Sequence, residues 1–209
     1  MNQIIYKIII IIKKYILDFN KIHITMNRRL NLTIILLLIG FLSYSQSFPG
    51  LDRSPLDISY YPDNFAHDRN PGDNAIIKVI YSRPQKRGRE LFGNLIPYGK
   101  VWRTGANETT EIKFYKDITL QNSNIKAGTY SLFTIPDEQE WTIIVNKDLD
   151  FWGAYSYNQE NDVIRVKVPS KKIDSPVEAF TIQFEKTDDN HGKMQLAWGE
   201  TLVEVPFEY

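Results

Sequence analysis

From Ala75 onward, short runs rich in β-branched and aromatic residues recur, separated by turn residues, and this rhythm constrains the fold more than any other feature. The runs are Ala75–Tyr81, Thr109–Tyr115, Ile118–Leu120, Thr129–Ile135, Trp141–Val145, Val163–Val168, Phe180–Glu185, Met194–Trp198 and Thr201–Pro206. Val163 to Val168 alternates apolar with charged residues, the period of a half-buried strand. Turns are expected at Gln121–Asn124 and Asp188–Gly192, and Gly199-Glu200 reads as a two-residue hairpin loop. The pattern predicts an all-β protein, an antiparallel β-sandwich of jelly-roll or Ig-like type with eight or nine strands and little helix. The sandwich is expected over residues 75–209, behind a loop-rich segment over 46–74.

The N-terminus carries a different signal. Arg28-Arg29 precedes the apolar run Leu30–Leu42, and Ser43-Tyr44-Ser45 offers small residues where a signal peptidase reads. Residues 26–45 are therefore expected to be a signal peptide, cleaved near Ser45-Gln46, which makes the mature protein secreted or periplasmic. The run is too short for a spanning helix, which needs about 18 or more apolar residues, so no membrane span is expected after cleavage. Ten of the first 25 residues are isoleucine. Residues 1–25 read as an upstream-start extension ahead of a true start at Met26, with a membrane-anchoring leader as the competing reading.

Composition sharpens the functional question. The 209 residues hold 25 basic and 25 acidic side chains and no cysteine. Disulfides, thiolate metal sites and cysteine nucleophiles are thus excluded. Six bases and one acid lie in residues 1–45, so the remainder carries 19 basic against 24 acidic residues. Within it, Lys78–Arg103 holds seven bases and only Glu90 as acid. An exported, acidic chain argues against nucleic acid as a partner. His67 and His191 are isolated in polar turns, which supports neither a zinc site nor a Ser-His-Asp triad. Asp148, Asp150, Asp188 and Asp189 have no spacing diagnostic of Ca²⁺. No metal or cofactor is expected.

The densest segment runs Tyr81-Ser-Arg-Pro84, Lys86-Arg-Gly-Arg89, Leu91-Phe-Gly93 and Ile96-Pro-Tyr-Gly-Lys-Val-Trp-Arg-Thr-Gly-Ala-Asn-Glu108. With Ala127–Pro136, Trp141-Thr-Ile-Ile144 and Trp152-Gly-Ala-Tyr155, it resembles the bacterial family called domain of unknown function 2911, from about Ser54 to Phe207. The resemblance implies a secreted or periplasmic single-domain protein and no established activity, so no catalytic residue carries over. Some relatives are labelled asparagine synthetase, a chemistry that requires a cysteine nucleophile and a nucleotide-binding loop; this chain has neither.

Two loops carry the candidate chemistry. Between the strands at Tyr81 and Thr109, Arg83 and Arg103 can contact an anion through fork-like guanidinium geometry and Lys100 through its ammonium group, and Trp102 can wall a sugar ring. The competing reading pairs Arg83 and Arg103 with acids such as Glu108 and Glu111 and puts Trp102 in the core. Asn107 and Glu108, with Thr104, offer an amide, a carboxylate and a hydroxyl that serve either a capped turn or a general base. The second loop, Phe151–Tyr157, presents Trp152 and Tyr155, which flank a carbohydrate or seal the end of the sandwich. The leading expectation is a non-enzymatic binder of a small anionic or carbohydrate ligand on Arg83, Lys100, Trp102, Arg103, Asn107, Glu108, Trp152 and Tyr155. The alternatives are a glycan-directed hydrolase using Glu108, and an envelope module whose basic loop meets an acidic protein partner or lipid headgroups.

Overall fold

The computed structural model describes residues 2–41, 47–63, 65, 67 and 69–209. The chain divides into two compact units, Met1–Gly50 and Leu51–Tyr209. The first contains one helix, α1 (Asn2–Phe41), which runs unbroken through Met26. No described helix is long and apolar enough to cross a membrane. The expected cleavage site at Ser45-Gln46 lies outside the described residues.

The second unit is antiparallel sheet. Its strands are β1 (Leu56–Tyr61), β2 (Ile77–Ser82), β3 (Thr110–Phe114), β4 (Ile118–Leu120), β5 (Ser123–Ile125), β6 (Gly128–Ile135), β7 (Glu140–Asn146), β8 (Asp162–Lys186) and β9 (His191–Glu208). They hydrogen-bond in the order β1-β2-β3-β6-β7-β8-β9-β4-β5. The only described helical element of this unit is a 3-10 turn at Gln159–Asn161. The mostly antiparallel architecture is the one the sequence rhythm predicts, with nine strands.

Three local readings need correction. The segment expected to be loop-rich contributes β1, and the turn expected at Gln121–Asn124 holds the start of β5. Gly199-Glu200 closes no hairpin: β9 runs straight through it. Gly199 has φ 59° and pairs with Val177 where the β8–β9 register shifts on both sides. A bulge needs the same left-handed glycine that a tight hairpin needs, so the residue signal is shared and the outcome differs. The two runs at Val163 and Phe180 accordingly join into one strand, β8, whose first part pairs with β7 and whose later part pairs with β9.

Because β8 belongs to both parts of the ladder, the sheet folds on itself around one core. Tyr81 of β2 reaches across to donate its hydroxyl to the Ile182 carbonyl (3.2 Å) and accept from the Ile182 amide (3.0 Å). Tyr61 of β1 meets Phe184 and Phe207, and its hydroxyl donates to that of Tyr209 at 2.9 Å. Burial of its ring raises the Tyr61 phenol well above its ordinary range. Beyond β2, the Lys86 amide donates to the Glu178 carbonyl and the Phe180 amide to the Pro84 carbonyl, stitching the chain to the middle of β8.

One end of the core is aromatic. Trp102 stacks on Trp198 at 5.9 Å and meets Trp141 and Phe180 edge-on, while Phe92 sits against three of the same rings. Phe92 and Trp102 belong to the long segment between β2 and β3, which is therefore anchored rather than free. Burying rings of this size supplies a large share of the hydrophobic stabilisation.

Candidate functional site

A second, smaller apolar layer lies on the opposite face of β6 and β7. Phe133 and Ile144 are fully buried yet stand outside the main core cluster. They are cross-strand partners, and the segment 147–161 folds back over them with the Tyr157 ring edge-on to Phe133 at 5.0 Å. Polar clips fix this segment. Ser131 Oγ donates to the Asp148 carbonyl at 2.6 Å, Asn146 Nδ2 to Asp162 Oδ1 at 2.8 Å, and Asn161 Nδ2 to the Asp148 carboxylate. Tyr157 donates to Asp162 Oδ2 at 2.6 Å and accepts from Arg165 at 2.7 Å. Burial and the Asp162 carboxylate push the Tyr157 phenol up to about 12, so it stays a donor throughout the physiological range.

The clipped segment is joined to the end of the basic one. Glu108 bridges Trp152 in antiparallel fashion, the Gly153 amide donates to the Asn107 carbonyl at 3.0 Å, and Thr109 Oγ1 donates to the Gly153 carbonyl at 2.6 Å. The two loops that the sequence singles out separately therefore share one rim. Its backbone is strained: Thr104 (φ 56°), Asn107 (φ 59°) and Asp150 (φ 63°) occupy the left-handed region, which is costly for a β-branched threonine. Thr104 is held there by its hydroxyl on Thr134 Oγ1 (3.1 Å) and by Thr110 Oγ1 donating to its carbonyl (2.7 Å).

Two concavities flank the rim. The larger, about 730 Å³, is lined by Leu56, Ile80, Ser82, Glu111 and Ser131, by residues 149–152 and 107–109, and by Asp52 and Ser54. The smaller, about 450 Å³, is lined by Arg89, Lys100, Trp102 and Arg103, with Pro97 and Trp198. Ser54 and Asn107 belong to both. Asn107 is held at this seam by donating to Asp52 Oδ1 at 3.0 Å. The Ser54 amide at 2.6 Å, and then Asn107, keep the Asp52 carboxyl below its ordinary range.

The seven bases of the island do not form a single patch. Lys78 sits on the outward side of β2 opposite Lys113. Arg83 is spent on the fold: its guanidinium donates to Asp57 Oδ2 (2.8 Å), the Phe180 carbonyl (3.0 Å) and Thr181 Oγ1 (2.8 Å). Three of the donors of this expected anion contact are thus engaged in joining β1, β2 and β8. Arg89 donates to the carbonyls of Gln85 and Lys86. Trp102, expected as a ligand wall, is 6% exposed, and its ring is covered by the aromatic cluster, with Nε1 donating to the Gly105 carbonyl. It supports the site from beneath.

Arg103 is different. It makes no ion pair among the described residues, and its Nε is buried without an acceptor. An unpaired buried donor of a charged group costs more than a neutral one. One guanidinium nitrogen lies 3.2 Å from where a side chain at Gly153 would begin, and the Tyr155 ring edge lies 2.8 Å from the same point. Gly153 (φ 73°) thus leaves room for Arg103 beside Tyr155. Trp152 and Tyr155 are 61% and 86% exposed on this clipped loop, and Lys100 is exposed. Of the residues singled out in the sequence, Lys100, Arg103, Asn107, Glu108, Trp152 and Tyr155 meet at the rim. The sequence reading missed Asp52, Ser54 and Ser131 as lining residues; Glu111 and Asp150 entered it only as an ion-pair partner and a calcium candidate. Outward strand position marks Glu111, whereas nothing local marks Asp52. Among the described residues, no group of three or more His, Asp or Glu side chains is placed to hold a metal ion.

Fold and rim together define a β-rich protein, mostly antiparallel sheet, whose aromatic and basic loops close one side. The model of the family described as proteins of unknown function, DUF2911, matches residues 64–207, and the chain belongs to that family. No curated protein and no solved structure matches it.

Proposed function

We propose that the protein is an exported, non-enzymatic binder of a small anionic or carbohydrate ligand, held at the rim where the 100–108 and 151–155 loops meet. The observation that carries this reading is Arg103, a cation with a buried, unpartnered Nε beside the exposed Tyr155 ring, on a rim that also carries the exposed Trp152. A carboxylate or phosphate oxygen can pair with the terminal nitrogens of this otherwise unpaired guanidinium, and Trp152 and Tyr155 supply faces for a sugar ring. The leader at 26–45 supports export to the periplasm or beyond.

A thermal-shift screen of the full chain against uronic acids, sugar phosphates and small carboxylates tests it. A ligand present at about 100 times its Kd adds about 2.7 kcal/mol, a rise of about 5–10 °C for a domain of this size. The rise is expected to vanish in Arg103→Ala. Absence of any response at millimolar ligand removes the reading and moves the weight to an envelope protein partner. Release of product from a glycan, abolished by Glu108→Gln, replaces it with a hydrolase.

A further inference from the structure

The two concavities divide charge completely. The larger is lined by Asp52, Glu108, Glu111 and Asp150 and, among the described residues, by no Lys, Arg or His. The smaller is lined by Arg89, Lys100 and Arg103 and, among the described residues, by no acid. They meet at Ser54 and Asn107, which line both. Asp52 is occupied at that seam by the Ser54 amide and Asn107, whereas Glu108, Glu111 and Asp150 make no ion pair among the described residues.

Resting on the binder reading above, we propose that the ligand is a zwitterion: a compact molecule whose carboxylate engages Arg103 and whose ammonium group lies across the seam, in the acidic concavity beside Trp152. Four observations converge on this class. Arg103 lacks an acceptor at its buried Nε, so the basic side calls for an anion. Arg89 is engaged with backbone carbonyls, which leaves Arg103 and Lys100 to meet it and suits one carboxylate. A dianionic phosphate in the same place faces the carboxylates next door, and like charge across a shared rim selects against it. On the acidic side the carboxylates are spread around the wall and do not converge on a cation site, an arrangement that suits an ammonium group with hydroxyls around it rather than a bare metal ion. Trp152, 61% exposed at that wall, adds a ring face for a cation.

Four matched sugars test the inference by isothermal titration calorimetry on the full chain: glucose, glucosamine, glucuronic acid and glucosaminuronic acid. The expected result is that glucosaminuronic acid binds at least about tenfold more tightly than either singly charged sugar, with glucose weakest. Glu111→Gln, and separately Glu108→Gln, should lower that advantage several-fold. Arg103→Leu should weaken glucuronic and glucosaminuronic acid together. Glucuronic acid binding as tightly as glucosaminuronic acid overturns the zwitterion inference and leaves the binder reading standing. Failure of all four sugars overturns the zwitterion inference, and the binder reading falls with it only if the sugar phosphates and small carboxylates of the thermal-shift screen also give no response.

Discussion

Two charged surfaces of this molecule behave in opposite ways. On the outward side of β8 and β9, Glu204 meets Lys171 and Lys193, Lys193 also meets Glu185, Gln195 bridges the two glutamates, and Lys172 meets Glu200. Charge on that ladder is answered by charge within the fold. At the rim, Arg103 lines one concavity and Glu108, Glu111 and Asp150 line its neighbour, none forms an ion pair among the described residues, and Trp152 and Tyr155 stand exposed. A charged surface is therefore no guide to function by itself; the informative property is whether its hydrogen-bonding and Coulombic capacity is already used. The ladder stabilises the sheet, and the rim keeps its capacity for something else.

The contrast can be broken from below. Trp102→Ala removes the ring on which both the aromatic core and the floor of the basic concavity rest, and should cost about 3–5 kcal/mol in urea unfolding. A loss under 1 kcal/mol means the loop is not anchored as described. The ladder gives the next largest effect. The lysines on Glu204 hold its carboxyl down to about 2, against an ordinary 4.5. Its contribution is present above about pH 4.5, where the unfolded chain is ionised, and is lost as pH falls towards 2. Glu204→Gln should lower stability by about 1 kcal/mol at neutral pH and flatten the acid limb of the melting curve between pH 4.5 and 2.

The rim should answer differently. Arg103→Met discards an unpaired guanidinium, so thermal stability should stay within about 0.5 kcal/mol of the parent or rise. A loss above 2 kcal/mol shows a structural role and weakens the comparison. Trp152→Ala and Tyr155→Ala should have the smallest effect on unfolding, also within about 0.5 kcal/mol, because their rings are mostly in solvent. The same substitutions sharpen the contrast if they abolish a ligand response that Glu204→Gln leaves intact.

How much of this was legible in the chain depends on how far apart the interacting residues lie. Alternation from Val163 to Val168 and the β-branched run at Ala75 announce strands because face and period are local properties. Leu56–Tyr61 escaped because it follows polar and proline residues, and it is held as a strand by β2, some twenty residues on. Arg83 and Arg103 cannot be told apart in sequence. The acceptors that occupy Arg83 come from residues 57, 180 and 181, and only the folded sheet delivers them. The rim was half legible: both loops stood out by their aromatic and basic content, but the acidic wall required β3 and the Asp52 stretch to be brought beside them.

The continuity of β8 has a consequence for how the protein comes apart. A single 25-residue strand is the shared rail of both halves of the ladder, so neither half can peel away while the other keeps its full set of partners. Loss of order should therefore be all-or-none for the sheet. In native-state hydrogen exchange, the amides of 164–168 and 181–185 should share one opening free energy, equal to that of global unfolding, despite belonging to opposite ends of the strand.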